Sequence, residues 1–292
     1  MSIPFISNSC YNLTMTINFE KTILKRHNLK PIKYLGQNFL IDRKILDKII
    51  ETAGIKLSDT VVEIGPGTGI LTKELAKNAK KVIAIEKDFK MCEILKESLR
   101  HQNIKNVEIV NADILKIDII HYILPKSYKV ISNIPYYITS PIVRKFLELK
   151  KPPSSMVLMV QKEVAQRICN NPPKMSILSV SVQFYAKPKI IDYVSKESFW
   201  PKPKVDSAIL RITQIHTDKN TDSHRFFEIV KAGFSQPRKQ LVNNLSKSLK
   251  LGKEQISSIL LKNGLKTEQR AGTLNINDWI NLIKSFSLIF KN

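Results

Sequence analysis

The chain has 292 residues, of which 43% are hydrophobic and 25% are charged, a composition typical of a globular protein with a complete apolar core. Its three cysteines, Cys10, Cys92 and Cys169, are too far apart for a zinc motif or a disulfide framework, which favours a reducing cytoplasm. No apolar run reaches the roughly 20 residues that a membrane span requires, and residues 1–19 carry no Lys or Arg, so neither a membrane segment nor a leader is expected.

The charge balance is the first indication of a partner. The chain carries 47 basic and 25 acidic side chains, a net charge of +22, and the excess is spread along its length. A basic surface attracts polyanions and speeds encounters with them, which favours a nucleic acid as partner. A lysine-rich coding bias, the alternative, would produce the same excess.

An extension over residues 1–30, with no clear period, precedes the regular elements. The first helix is expected to start after Asp42, whose side chain can cap it, and to end at Gly54. A later helix is expected to begin at Ser140-Pro141, with Ser140 as the N-cap and proline in the first helical position. Further helices are predicted over about 70–78, 88–100 and 162–168.

Buried strands alternate with these helices. They are predicted at residues 61–64, 82–86, 107–110, 129–132, 155–160, 177–185 and 208–212. The alternation predicts an α/β fold with a doubly wound, parallel sheet. From His224 onwards only helical periods occur, which predicts a small C-terminal all-α domain. The expected domains are therefore an extension (1–30), an α/β domain (31–216) and a helical domain (217–292).

A glycine-rich loop follows the first buried strand, over residues 63–69 (EIGPGTG). Gly65 and Gly67 let the backbone turn tightly and approach a ligand. The spacing is G-x-G-x-G, which differs from the dinucleotide fingerprint, and Pro66 removes an N–H that a pyrophosphate would use. The loop therefore favours a ligand without a pyrophosphate and counts against a dehydrogenase, while a plain tight turn is the other interpretation of the loop alone.

Acidic side chains end the next two strands. Glu86 is placed to bind both ribose hydroxyls of a nucleoside, and Asp113 is placed to accept a hydrogen bond from an adenine amino group. Together with the glycine loop, they describe an adenosine pocket. S-adenosylmethionine fits this pocket better than NAD, and no metal site is expected.

The fourth strand is followed by Asn133-Ile134-Pro135-Tyr136. A turn is the simplest explanation for Asn and Pro here. Beside a cofactor pocket, however, the Asn133 oxygen and a backbone carbonyl of Ile134-Pro135 can accept both hydrogens of an adenine amino group. Tyr136 can stack on the base. Methyl transfer would then depend on positioning and electrostatics, and the target base must be unpaired or flipped.

With these motifs in place, the chain resembles the KsgA-type small-subunit rRNA adenine dimethyltransferases from about Lys33 to about Asn277. EIGPGTGILT (63–72) matches the family's glycine loop, and KYLGQNFL (33–40) resembles its N-terminal cofactor motif. The resemblance implies a Rossmann-like class I methyltransferase sheet. It also implies that Gln37, Asn38, Leu40 and Asn133 contact the cofactor.

Two further segments carry the resemblance. FWPKPKVDSAIL (199–210) is similar to a family segment whose first residue, here Phe199, is a candidate second aromatic for the target base. FSQPRKQLVNNL (234–245) resembles the family's basic helix, which makes Arg238 and Lys239 candidate rRNA contacts. Pro237 stands where the family has its first arginine.

Membership of this family would imply dimethylation of two adjacent adenosines in a hairpin near the 3′ end of small-subunit (16S) rRNA. It would also imply a cytoplasmic role in ribosome assembly, with a monomer as the default state. Two rivals stay open. One is the related resistance methyltransferases that modify a large-subunit rRNA adenine, and the other is a non-catalytic nucleic-acid-binding relative.

Overall fold

The computed structural model describes residues 22, 24, 25, 31, 37–122, 127–217 and 222–289. The predicted extension over residues 1–30 therefore lies almost wholly outside the described residues. The chain divides into two compact units. The first comprises Met1–Ala165 with Lys189–Ile215, and the second comprises Gln166–Pro188 with His216–Asn292. Residues 166–188, which the sequence analysis placed in the α/β domain, thus group with the C-terminal helices.

Nine strands occur in the described residues, and the predicted strands at 61–64, 82–86, 107–110, 129–132, 155–160 and 208–212 are confirmed within one residue at each end. The strands are β1 (Phe39–Leu40), β2 (Thr60–Ile64), β3 (Lys81–Glu86), β4 (Val107–Asn111), β5 (Lys129–Asn133), β6 (Ser155–Gln161), β7 (Lys187–Val194), β8 (Phe199–Trp200) and β9 (Ser207–Thr213).

Seven of these strands form one sheet in the order β4-β3-β2-β5-β6-β9-β7. From β4 to β6 all neighbours are parallel, and β9 runs antiparallel to β6. The order reverses between β2 and β5, which confirms the predicted doubly wound sheet. The short strands β1 and β8 pair antiparallel with each other, Phe39 opposite Trp200 and Leu40 opposite Phe199.

Among the described residues of the first unit, five helices connect the strands: α1 (Arg43–Ala53), α2 (Ile70–Asn78), α3 (Phe89–His101), α4 (Thr139–Leu147) and α5 (Lys162–Cys169), the last of which continues into the second unit. The predicted caps of α1 are confirmed. The Asp42 side chain accepts from the Lys44 N–H, and Gly54 ends the helix in a left-handed conformation. α1 and α2 then bury Leu46, Ile49 and Leu75 in the main apolar core.

The predicted start of α4 at Ser140-Pro141 is wrong. A 3-10 turn over Tyr136–Ile138 runs directly into the helix, which begins at Thr139 with no side-chain cap. The Thr139 hydroxyl instead donates to the Tyr136 carbonyl. Because the turn already supplies a helical entry, Ser140 and Pro141 lie inside the first turn of α4.

The predicted strand at 177–185 is also wrong, because this segment forms α6 (Ile177–Tyr185). In its sequence, Val180, Val182 and Phe184 alternate with serine and glutamine, a period of two that is typical of a half-buried strand. Ser176 and Ser179 form a capping box, and Phe184 stacks on Phe226 with ring centroids 3.9 Å apart. The cap and this packing outweigh the strand propensity of the segment.

The second unit is helical after α6, as predicted for the region from His224. Its further helices are α7 (Ser223–Gly233), α8 (Leu241–Leu249), α9 (Lys253–Lys262) and α10 (Ile276–Ile289). Trp279 and Phe286 are fully buried in its core. Within the described ranges, none of the helices combines the length and the apolar character needed to span a bilayer.

Candidate active site

A cavity opens in the first unit at the carboxyl ends of β2, β3, β4 and β5, where the strand order reverses. Open α/β sheets bind ligands at this point because the loops on either side diverge. The walls of the cavity come from residues 37–39, 63–68, 70–71, 85–87, 112–115 and 133–138. The cofactor and catalytic motifs predicted from the sequence therefore meet in one place, with two exceptions given below.

The glycine loop lines the cavity in a conformation that requires glycine. Gly65, Gly67 and Gly69 have φ of +65°, +56° and +86°, in the left-handed region that residues with a Cβ rarely adopt. A Cβ on Gly67 would lie 3.0 Å from the Phe39 ring, and one on Gly69 would lie 2.3 Å from Leu95. The loop therefore turns as tightly as the motif suggested, and its backbone also passes close to Phe39 and Leu95.

Glu86 lies at the end of β3, buried in the cavity wall. Its carboxylate accepts from the Asp88 N–H at 2.9 Å and from the Gly67 N–H at 3.4 Å. Burial raises the pKa of Glu86, and these two amides oppose the rise. The predicted ribose ligand is thus held against the glycine loop by backbone donors.

Asp113 lines the cavity in the loop after β4. It accepts from the Leu115 N–H at 3.0 Å and pairs with Lys87 at 3.1 Å. Partial burial alone would raise the pKa of Asp113, but the Leu115 amide and Lys87 outweigh burial and hold the pKa below its usual range. The carboxylate is therefore an ionised acceptor at the cavity, as an adenine-binding side chain requires.

Glu63 is a cavity residue that the sequence analysis quoted only as part of the glycine motif. It is 1% exposed, and its Oε2 has no hydrogen-bond partner among the described residues. Burial raises the pKa of Glu63 to about 8; the Thr72 hydroxyl opposes this rise and Glu86 adds to it. The sequence carries a signal that could have identified it: an acidic residue lies inside an apolar strand, two positions before the first glycine of the loop.

Asn133 ends β5, and its orientation is set by a residue far away in sequence. Its Nδ2 donates to the Asn38 backbone carbonyl at 3.0 Å, which leaves Oδ1 as an acceptor with no partner among the described residues. The Pro135 carbonyl accepts the Ile138 N–H at 3.2 Å. The Ile134 carbonyl, in contrast, accepts no hydrogen bond within the described part of the chain. Of the two backbone carbonyls, that of Ile134 is therefore the one with no partner among the described residues.

Tyr136 lines the cavity, and a residue that the sequence analysis did not single out holds its hydroxyl. The Ser207 hydroxyl, fully buried at the start of β9, lies 2.6 Å from the Tyr136 oxygen. Burial raises the pKa of Tyr136, so the phenol stays neutral at physiological pH. The ninth residue of the FWPKPKVDSAIL segment thus supports the tyrosine hydroxyl from 71 residues away along the chain.

Leu40 and Phe199 are the two exceptions. Both are 2% exposed and belong to the main apolar core, and neither lines the cavity. Successive strand residues face opposite sides, so Phe39 faces the cavity while Leu40 packs inwards beside Phe199. The side chains of Leu40 and Phe199 are therefore core residues. A contact of Leu40 with the cofactor would be made by its backbone, and both this contact and that of Phe199 with the target base stay predictions. Gln37 lines the cavity as predicted and bonds Asp88.

Arg238 and Lys239 lie in the second unit, exposed, in a turn that precedes α8. The resemblance suggested that they belong to a helix, but α8 begins only at Leu241. Pro237 lacks an N–H and disfavours a helical conformation in the residue before it, which explains the turn. Asn244 pins this turn by donating to the Gly233 and Gln236 carbonyls.

Comparison with known proteins agrees with this geometry. The family model described as Ribosomal RNA adenine dimethylase matches residues 28–287. A Dehalococcoides mccartyi protein, Ribosomal RNA small subunit methyltransferase A, is 40% identical over 272 residues, which cover 91% of this chain and 92% of the relative. A dimethyladenosine transferase structure from Plasmodium falciparum aligns with a TM-score of 0.73 at 31% identity, covering 86% of this chain and 98% of the other. The 23S rRNA methyltransferase ErmE aligns with a TM-score of 0.69 at 28% identity, covering 86% of this chain and 100% of the other.

Proposed function

The chain belongs to the ribosomal RNA adenine dimethylase family, and from that premise we propose that it dimethylates the N6 amino groups of two adjacent adenosines in small-subunit (16S) rRNA. The observation that carries the proposal is the orientation of Asn133. Its amide nitrogen is held by the Asn38 carbonyl at 3.0 Å, so its oxygen is left as an acceptor at the cavity. A protein that only bound RNA would have no need of such an acceptor.

The cavity fits S-adenosylmethionine as the methyl donor. Gly65 and Gly67 leave room for the backbone to approach a ligand, while Glu86 and Asp113 offer carboxylates to its ribose and adenine. The unpartnered, buried Oε2 of Glu63 suits a positively charged ligand, since a buried carboxylate without a partner is costly. When bound, this cofactor supplies an electrophilic methyl group on a cationic sulfur. Gln37 and Asn38, at the other wall, are placed to bind its methionine part.

The chain's own residues account for activation of the adenine amine. The amine is a poor nucleophile because its lone pair is delocalised into the ring. Asn133 Oδ1 and the Ile134 carbonyl accept its two hydrogens, which favours a tetrahedral nitrogen. Neutral Tyr136 offers its ring face for stacking, with its hydroxyl held by Ser207. Catalysis then rests on positioning and on these fixed dipoles, with no strong base required.

The choice of small-subunit rRNA as the target is based on the similarity to named relatives. The 40% identical relative is named for that subunit, whereas the ErmE likeness is at 28% identity. The net charge of +22 suits an RNA partner, and exposed Arg238 and Lys239 are proposed as contacts to it. We place the enzyme in the cytoplasm, as a monomer acting on assembling subunits.

A methyl-transfer assay tests this function. The purified protein is incubated with labelled S-adenosylmethionine and with small or large ribosomal subunits that lack the modification. We expect label only in small-subunit rRNA, at two methyl groups on each of two adenosines. Label confined to the large subunit would assign the ErmE-like activity, and absence of label from both would refute methyl transfer.

A further inference from the structure

Tyr137 differs from its neighbour Tyr136 in what holds it. Tyr136 is anchored through its hydroxyl to Ser207, whereas Tyr137 is 54% exposed and makes no hydrogen bond or ring contact with the described residues. A single exposed tyrosine is common on protein surfaces. This ring, however, lines the mouth of the cavity, one residue from the side chain proposed to stack on the target base.

The surface beside Tyr137 continues away from the cavity. Leu115, 38% exposed, lines the cavity mouth and also a shallow depression formed with Pro141, Arg144, Lys145 and Glu148. The depression is therefore contiguous with the cavity through one side chain, and it has no part in the cofactor or acceptor sites.

Helical geometry aligns this depression with the tyrosine. Tyr137, Pro141, Arg144 and Glu148 follow at spacings of four, three and four, so they lie along one face of the 3-10 turn and α4. At 1.5 Å per residue, Arg144 lies about 10 Å along the axis from Tyr137. These four residues form an exposed strip, with an aromatic ring at its start and a cation about 10 Å further along it.

The charges around the strip are mixed. Arg144 Nε donates to Glu148 at 2.7 Å, and Lys145 Nζ donates to the Ile117 carbonyl at 2.6 Å. Burial lowers the pKa of Lys145, and the negative charges of Asp118 and Asp113 oppose this decrease. A guanidinium has five N–H donors, so Arg144 can bind an anion while it keeps Glu148.

We propose that Tyr137, Leu115 and the Pro141–Arg144 face of α4 form a second nucleotide subsite, which binds the unpaired base adjacent to the target adenine. The proposal rests on the proposed function. When the target base leaves its stack, its neighbour loses a stacking partner. The exposed Tyr137 ring at the cavity mouth replaces that partner, and Arg144 binds the backbone phosphate beside it.

The experiment places a fluorescent aminopurine next to the target adenosine in an RNA hairpin with two adjacent loop adenosines. Binding to the wild type should quench the fluorescence, because the base stacks on Tyr137. Tyr137→Ala should abolish the quench and weaken RNA affinity by about tenfold, as expected for one stacked base, while Tyr137→Phe should retain both. S-adenosylmethionine affinity should be unchanged in each variant, which checks that the cavity is intact.

Tyr193→Ala is the matched control. Tyr193 is a similarly exposed tyrosine (49%) of the same unit, in β7, and it does not line the cavity. An equal loss of affinity in Tyr137→Ala and Tyr193→Ala would overturn the subsite, as would an unchanged quench in Tyr137→Ala. Loss of methyl transfer at saturating RNA, with quench and affinity intact, would also overturn it, because Tyr137 would then act on the target base.

The role of Arg144 is tested through the salt dependence of RNA affinity. Arg144→Gln should lower the salt slope of RNA affinity by about 0.7, the value for one phosphate contact to a single strand. An unchanged slope would remove Arg144 from the subsite. The quench requires no turnover, so a wild type that quenches but transfers no methyl group would refute the proposed function and leave the subsite standing.

Discussion

The two halves of the cavity are built in different ways. The cofactor half consists mainly of loops that directly follow β2, β3 and β4, and its carboxylates are held by groups of those same loops, such as Glu86 by the amides of Asp88 and Gly67. The acceptor half is a four-residue motif after β5 whose side chains are held from afar. Asn133 is held by Asn38, 95 residues away, and Tyr136 by Ser207, 71 residues away.

This difference predicts how substitutions in each half will affect the protein. Changes to the cofactor half should act through local backbone conformation and buried charge. Changes to the acceptor half should act through contacts that only the folded unit provides, and they should leave cofactor binding largely intact. Four sets of variants test this contrast.

The largest effect is expected from Asn133→Ala, which removes an acceptor of the target amine. Loss of one preorganised polar group of this kind costs about 10²–10³ in kcat. Cofactor affinity, measured by calorimetry, should stay close to that of the wild type. Asn106→Ala is the matched control, because Asn106 also donates to backbone carbonyls, those of Ala76 and Ala79, but lies outside the cavity. Equal turnover in the two variants would show that the acceptor argument is wrong.

The next effect concerns pH and the buried Glu63. Its pKa in the folded protein is raised to about 8, so between the ordinary glutamate pKa of about 4.3 and that value the folded state holds a proton that the unfolded chain releases. Stability of the cofactor-free protein should therefore fall as pH rises through this window, by at most ~1.4 kcal/mol per pH unit.

Denaturant unfolding at a series of pH values measures this dependence. Glu63→Gln should flatten it. Glu74 supplies a control of opposite sign, since Arg43 and Lys77 outweigh burial and lower its pKa. Its contribution is present at neutral pH and lost as pH falls, so Glu74→Gln should alter only the acid side. A wild-type slope that survives in Glu63→Gln would exclude this carboxyl as the source.

Gly67→Ala should have a smaller effect. It is compared with Gly54→Ala, which introduces the same backbone strain away from the cavity. A left-handed alanine costs about 1–2 kcal/mol. Gly54 has nearly the same φ, +51°, but nothing lies within 4 Å of an added Cβ there. Both variants should lose thermal stability, Gly67→Ala more than Gly54→Ala because its Cβ would lie 3.0 Å from the Phe39 ring, and only Gly67→Ala should also lose cofactor affinity. If Gly54→Ala lost it equally, the glycine loop would have no specific role.

The smallest effect is expected at the Tyr136–Ser207 bond. Tyr136→Phe or Ser207→Ala removes one hydrogen bond, worth ~1 kcal/mol, and should lower kcat by about fivefold. Since both changes remove the same bond, the double variant should be no slower than either single variant. Tyr128→Phe controls for loss of a buried phenol bond elsewhere, here to the Lys151 carbonyl. Additive losses in the double variant would show that Ser207 does not position Tyr136.

Much of the fold followed from local patterns. The strand–helix alternation, the caps of α1 and the helical C-terminal region were all predicted correctly. The segment 177–185 was not, because its alternation of apolar and polar residues is typical of a strand although it folds as a helix. The helix start at Ser140 was wrong because the 3-10 turn after Pro135 already enters the helix.

The same division holds for the site. Gly65, Gly67, Glu86, Asp113 and Asn133 were predicted as cavity residues because each follows a strand, and the carboxyl ends of parallel strands meet at one edge of a sheet. Neither the support from Ser207 nor the core position of the Phe199 side chain was predicted, because both residues lie in segments whose neighbours in space come from other parts of the chain.

The sequence by itself determined which segments meet at the sheet edge and what cofactor chemistry they offer, because strand order and glycine spacing are local properties. Only the tertiary structure decided which way Asn133 donates, what holds Tyr136, and that Leu40 and Phe199 belong to the core. Those outcomes depend on hydrogen bonds and packing between residues far apart in the chain. Such contacts leave no spacing in the sequence from which they could be read.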